Sequence, residues 1–420
     1  MKYVKKDLGA YKLHLIKTTN FKTIKIRVSF RSPIVKSEIT MRNVLCSLLT
    51  LSTKKYQTKR DLIIKGQDLY AATISSSNSR IGNYINTDIL LTVLHDKYTE
   101  EGNFKSALDF LYDVVYDPNV DGDHFNEEQL EIVKRNAKTS LESLKEDASY
   151  YSLIRLYENM EDGEPLSCRM AGYIEDLETI DSKTLYQYYK KMIEKDLMDI
   201  FVIGDIDFSK TEETIKEIFR TKTFKKQKIG YYLEERKPKR HLKTVVEKEV
   251  NNQSKLAISA RLCNLTKYER DYALTLYNVI LGSGPDSKLF REVREKNSLC
   301  YTISSVPNKL DNILVIRAGI DKKNVKKTVS LIESQMSLMR RGKFSDKDLA
   351  IAKEYFQTAM DSILESQSSI IESYYMMDLV GLDDIEKRVE KMMEVTSSDI
   401  VKVAKKIKLD TVYCLEGVKE

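Results

Sequence analysis

LGSGPDSKLFREVREKNSLCYTISS (281–305) carries a glycine pair, a helix and the opening of a strand in close succession. Gly282 and Gly284 mark a tight turn that lets a helix start close to a sheet. A phosphate-cradling loop would need a following Lys-Ser/Thr or a βαβ setting, and neither is present. The helix carries Arg294, and a strand begins around Tyr301. Beyond it the alternating β-branched residues up to Ile320 predict a hairpin.

This arrangement occurs twice. LIIKGQDLYAATISSSNSRIGNYINTDILLTVL (62–94) matches LFREVREKNSLCYTISSVPNKLDNILVIRAGI (289–320), each a helix end followed by a hairpin. Lys65 stands near the place of Arg294 and Ala72 at the place of Tyr301, so the Arg/Tyr pair belongs to the second copy. IDSKTLYQYYKKMIEKDLMDIFVIGDID (180–207) and VTSSDIVKVAKKIKLDTVYCLEGV (395–418) share another plan, a capped helix and then a buried strand. Ser182 and Ser397 are the expected caps, and Lys190–Lys191 corresponds to Lys405–Lys406. Two copies offset by roughly 215–230 residues point to a duplication, not a solenoid.

Between the copies lies a Lys-, Arg- and Gln-rich stretch with Pro238. The expected organisation is therefore a domain over 1–222, a linker over 223–242 and a second domain over 243–420. Apolar positions at i, i+3 and i+4 predict amphipathic helices over 126–146, 267–281, 322–341 and 345–366. Strands followed by long helices define an α+β class, a mostly antiparallel sheet with helices packed on one face. Such domains either stack without shared purpose or close as a clamshell whose sheets line one cavity.

Composition removes several function classes. The hydrophobic content of 42% and charged content of 31% are those of a globular chain. The net charge of +6 is modest for 420 residues. The densest basic run, Lys225 to His241, has no accompanying zinc finger, RRM or helix-turn-helix pattern, so nucleic-acid binding is not expected. No run approaches the ~20 apolar residues of a membrane span. The N-terminus, MKYVKKDLGAYKLHLIK, alternates like a strand and lacks an apolar signal core, which gives a cytoplasmic expectation. Cys46, Cys168, Cys263, Cys300 and Cys414 are scattered without a CxxC pair, arguing against disulfides and a structural zinc knot.

The 281–305 stretch resembles the C-terminal signature of the insulinase/pitrilysin family of zinc peptidases, to which the mitochondrial processing peptidases belong. In that family an Arg and a Tyr seven residues later contact the substrate, and Arg294 and Tyr301 have that spacing. The residue chemistry suits the role. A guanidinium fork grips carbonyls or carboxylates, and a phenol stabilises charge developing on a scissile carbonyl. The plainer alternative is a surface ion pair for Arg294 and sheet packing for Tyr301.

The resemblance also implies a zinc motif, HxxEH, on the first long helix, here SEITMRNVLCSLLTLSTKKYQT (37–58). Ser37 is its expected cap, and Ile39, Val44, Leu45, Leu48 and Leu49 form its apolar stripe. In the register set by TKKY (53–56), the zinc positions fall on Asn43, Cys46 and Ser47. The further ligand Glu, on FNEEQLEIVKRNAKTSLESL (125–144), falls on Arg135, with Glu131 one turn away. Neutral Asn and Ser are poor zinc ligands, a single thiolate cannot complete a tetrahedral site, and an Arg repels a dication. His14, His95, His124 and His241 are not spaced as ligands, and Cys46 has no neighbouring His to make it a nucleophile. The expectation is a chain without a metal of its own. It would be the non-catalytic half of a two-subunit zinc peptidase, with zinc and the water-activating Glu on a paralogous partner. Arg294 and Tyr301 would act in trans on a short or unfolded peptide. The alternative is a peptide-binding or assembly protein on the same scaffold.

Overall fold

The computed structural model describes residues 1–160, 164–220, 226, 235 and 237–418. Most of the expected 223–242 linker (223–225, 227–234 and 236) lies outside these residues. In chain order the strands are β1 (Lys2–Asp7), β2 (Lys12–Lys17), β3 (Thr23–Pro33), β4 (Thr73–Ile81), β5 (Tyr84–Leu94), the short ribbon β6 (Val120–Asp121) and β7 (His124–Phe125), and β8 (Leu197–Gly204). They continue as β9 (Lys243–Val250), β10 (Ser254–Leu262), β11 (Cys300–Asn308), β12 (Ile313–Ile320) and β13 (Ile407–Val418). The fold is α+β, built as two compact units.

The first unit comprises Met1–Glu142, Arg169–Tyr231 and Glu365–Ile371. Its six-stranded sheet has the order β1-β2-β8-β3-β5-β4. All pairings are antiparallel except β2 with β8, which run parallel from Lys12 opposite Asp199 to Lys17 opposite Gly204. The central strands are apolar and sealed. Ile26, Val28, Phe30, Ile89, Leu91 and Ile200 have no exposed surface. Each such side chain contributes about 1.5–3 kcal/mol by leaving water.

The second unit comprises Ser143–Cys168, Tyr232–Leu364 and Glu372–Glu420. Its sheet order is β11-β12-β10-β13-β9, again antiparallel except for the parallel pair β13 and β9. The two sheets have one topology. β4, β5, β3, β8 and β2 take the places of β11, β12, β10, β13 and β9, including the position of the parallel pair. The duplication read from sequence is thus a duplication of the sheet.

Side-chain alternation gives the second sheet two different faces. Leu256, Ile258, Leu314, Ile316, Val412 and Cys414 point into a core with Leu281, Ile332, Phe356 and Ile400 from four helices. The opposite face, with Ala257, Val315, Tyr413 and Leu415, is covered by the helix Ala148–Met160. This packing is why residues 143–168, early in the chain, belong with the second unit. Arg155 fastens the helix by donating to both oxygens of Glu247 on β9, with Nε at 3.0 and 3.1 Å. Tyr413 donates to the same carboxylate at 3.0 Å.

Local signals were displaced in three places. The helix expected over 37–58 spans only Ile39–Leu49, and Ser37 lies in the short turn Lys36–Glu38 instead of capping it. Beyond Leu49 the chain leaves the helix, and Thr53 forms an isolated bridge with Pro118. The cap expected at Ser182 is Asp181, which accepts from the amides of Lys183 and Thr184. The cap expected at Ser397 is Thr396, in a reciprocal capping box with Asp399. In both cases the neighbouring oxygen reaches the third helical amide, as a cap must.

Candidate functional site

The helix Ile39–Leu49 buries the predicted stripe of Ile39, Val44, Leu45, Leu48 and Leu49. It packs against the helix Glu127–Glu142 and against β4. Arg42 lies on the same face, three residues from Ile39 and from Leu45, and is 2% exposed. Its Nε donates to Thr87 Oγ1 at 2.6 Å, and its Nη1 donates to Ser32 Oγ at 2.7 Å and to the Tyr188 hydroxyl at 3.3 Å. Nη2 donates to the Phe30 carbonyl at 3.2 Å and to the buried carboxylate of Asp196. Burial works against the guanidinium charge, but Asp196 and Tyr188 more than offset it and hold the group charged. Sequence reasoning passed over Arg42. The signal was there: an arginine inside an apolar helical stripe demands a buried counter-charge.

The polar network continues into the positions that the family resemblance assigned to zinc. Asn43 is half-buried; its Nδ2 donates to the Met170 carbonyl at 2.8 Å, and its Oδ1 accepts from Asn78 Nδ2 at 2.8 Å. Asn78 Oδ1 in turn accepts from Thr87 Oγ1 at 2.6 Å, closing the network back to Arg42. Cys46 is buried, and desolvation pushes its thiol up to about 11, far from a thiolate at neutral pH. Ser47 is exposed, as are Arg135 and Glu131 on the helix Glu127–Glu142. Asn43, Cys46 and Ser47 therefore share one helix, which Asn43 and the Cys46 carbonyl tie to Asn78 and Ser76 on β4. Arg135 stands on a second helix that the first one touches.

These residues do not fit a zinc ion. The Asn43 amide is committed on both sides, the Cys46 sulfur is protonated, and Ser47 offers a neutral hydroxyl. Zinc requires deprotonated sulfur, imidazole or carboxylate donors converging on one point. Among the described residues, no group of three such donors gathers on this helix.

Arg294 and Tyr301 lie at the edge of the second sheet. The segment Phe290–Lys296 forms a widened, π-type helix, and Ser298 after it adopts φ of +51°. Wide turns and left-handed non-glycine residues recur at functional positions because surrounding structure must hold them there. The amides of Ser298 and Leu299 donate back to Arg294 and Val293, both at 3.0 Å, which hold this turn. Gly282 sits where β11 crosses the preceding helix. A Cβ there would fall 2.9 Å from Leu289 Cδ1 and closer still to Ser305 Oγ. The glycine pair thus serves close packing and a turn, as the sequence implied.

The register of β11 on β12 slips at Tyr301. Cys300 pairs with Ile320 and Thr302 with Gly319, leaving Tyr301 as the extra residue of a bulge. A bulge re-aims its side chain, and Tyr301 is 77% exposed on a strand with a free edge. The expected plain alternatives, sheet packing for Tyr301 and an ion pair for Arg294, are not what the structure holds. Arg294 is exposed and lies over the Phe290 ring at 4.5 Å; it forms no ion pair among the described residues. Neither polar group has a hydrogen-bond or ion-pair partner among the described residues. In the first unit, Ala72 precedes edge strand β4 as Cys300 and Tyr301 open β11, and it has no polar group to offer.

Two α+β units share one topology, and the helix on which the resemblance placed the zinc ligands carries residues that do not fit the metal. The comparisons agree with the resemblance. The family description "Peptidase M16 inactive domain" matches residues 179–356. The chain is similar to the "Probable inactive metalloprotease YmfF" of Bacillus subtilis (strain 168), 29% identical over all of this chain and 99% of that protein. The "Uncharacterized zinc protease YmxG" of the same organism is 25% identical over 71% of each chain. A conserved protein from Enterococcus faecalis V583 has a crystal structure that superposes with a TM-score of 0.91 at 26% identity over the whole of both chains. An M16 inactive domain from Pseudomonas fluorescens, 15% identical with a TM-score of 0.80 over 100% of this chain and 99% of its own, shares the fold. The chain is a homologue of the inactive M16-family peptidases.

Proposed function

We propose that this chain is the non-catalytic subunit of a two-subunit zinc peptidase. A paralogous subunit bearing HxxEH supplies the metal and the water-activating Glu. This chain supplies Arg294 and Tyr301 in trans and helps to enclose a short or unfolded peptide. The observation that carries this is the contrast between the two units. The Asn43–Ser47 helix is committed to structural hydrogen bonds, while Arg294 and Tyr301 present an exposed guanidinium and phenol with neither hydrogen bond nor ion pair among the described residues, Arg294 resting only on the Phe290 ring. The bulge aims the Tyr301 phenol outward, where it is open to an approaching peptide. The work divides naturally, since the metal and the charge-stabilising donors need only meet at the scissile bond. The free edges of β4 and β11 are suited to pairing with an extended peptide.

The test is co-purification from the native cell, followed by cleavage of an unfolded peptide by the HxxEH partner with and without this chain. The proposal expects the partner to travel with the chain and cleavage to rise on adding it. A partner that cleaves equally well without this chain refutes it. The chain is proposed to work in the cytoplasm, with no part for nucleic acid.

A further inference from the structure

We infer that a pocket on the second unit's sheet binds a peptide carboxylate, from an acidic side chain or a chain end, and so selects which peptides are held. This rests on the peptide-handling role proposed above. The pocket has a volume of about 180 Å³, and its polar lining is Ser149, Ser152, Lys255, Thr302, Ser304 and Arg317. Register explains how these side chains converge. Thr302 pairs with Gly319, and Gly319 with Lys255, so the three lie in one row across β11, β12 and β10. Ser304 pairs with Arg317 in the next row on the same face. This is the face on which the helix Ala148–Met160 packs, and that helix adds Ser149 and Ser152 at its first turns.

Gly319 leaves the floor of the pocket bare. A Cβ there would come within 2.6 Å of Gln253 Oε1, so a larger residue would have to displace the end of the Gln253 side chain. The lining holds two cations and four hydroxyls without a carboxylate, so it favours an anion and rejects a cation. Among the described residues, Lys255 Nζ donates only to the neutral Gln253 Oε1, at 2.7 Å. Arg317 is exposed and has neither hydrogen bond nor ion pair among the described residues. An unneutralised guanidinium fork beside an ammonium and a row of hydroxyls matches a carboxylate, which accepts bidentate bonds in one plane. The volume, equal to that of about six waters, admits a single side chain or chain end. Thr302 directly follows Tyr301, so a peptide lying along β11 would reach both.

The experiment uses the full chain and fluorescein-labelled, unfolded peptides with amidated C-termini, identical except for a central Glu or Gln, with binding read by fluorescence anisotropy. A third arm carries the Gln peptide as the free acid. The wild-type chain is expected to bind the Glu peptide or the free-acid peptide about tenfold more tightly than the amidated Gln peptide, and the arm that gains identifies the carboxylate's source. Arg317→Gln, a change at an exposed position, and separately Lys255→Gln should bring that ratio close to one without weakening the Gln peptide. Equal affinity for all three peptides, or a ratio that survives both substitutions, overturns this inference alone. Failure of every peptide to bind overturns it together with the peptide-handling role.

Discussion

Arg42→Ala should unfold the ligand-like helix of the first unit while leaving Arg294 and Tyr301 untouched. Arg42 is 2% exposed and donates to Thr87, Ser32, Tyr188, the Phe30 carbonyl and Asp196. Removing one member of a buried charge pair costs about 3–5 kcal/mol, because the remaining carboxylate is left desolvated and unpaired. That is a roughly hundredfold to several-thousandfold fall in protection. Two-unit chains need not melt in one step, so the measurement is hydrogen exchange read by mass spectrometry on peptides covering 39–49. Arg42→Met with Asp196→Leu should recover most of the loss by removing both charges. A loss below about 1 kcal/mol for Arg42→Ala would mean that the network is ornamental, and the account of why Asn43 is fixed would fail with it.

Native thiol labelling should modify Cys263 and spare the other four cysteines, which are all buried; rapid labelling of Cys46 in folded protein would contradict the structural reading of that position. Burial acts to raise the Glu247 carboxyl, but hydrogen bonds from Arg155 and Tyr413 outweigh it and hold the group below the ordinary glutamate range. A carboxyl depressed on folding stabilises the protein above its unfolded value near ~4.3 and loses that contribution as pH falls through the folded value. Glu247→Gln should therefore lower Tm at pH 6 and shrink the further drop on moving to pH 3.5; an acid response equal to wild type would remove Glu247 from the account.

The repeated plan was legible because alternation in 289–320 and 62–94 is a local property, and the sheets that form from it share one strand order. That Asn43, Cys46 and Ser47 share one helical face follows from their i, i+3 and i+4 spacing, whereas their place at zinc positions was implied by the family resemblance alone. What the chain order concealed was long-range pairing. The 143–168 segment crosses to the second unit because its helix covers the free face of that sheet, and no local pattern records the pairing of Arg155 with Glu247. Tyr301 was expected at the opening of a strand as a substrate contact implied by the resemblance, and only the register slip against β12 shows how it turns outward. Lys255 and Arg317 are 62 positions apart in sequence, and they meet through cross-strand register.

The most direct test of the proposed role is the turnover number of an HxxEH-bearing peptidase reconstituted with this chain carrying Arg294→Ala and Tyr301→Phe. Both side chains are exposed and hold no hydrogen bond or ion pair among the described residues, so folding and association with the proposed partner should be unchanged. Loss of charge-stabilising donors should lower kcat by about 10²–10³. Turnover equal to that with the wild-type chain, or peptide cleavage by this chain alone, would contradict the account.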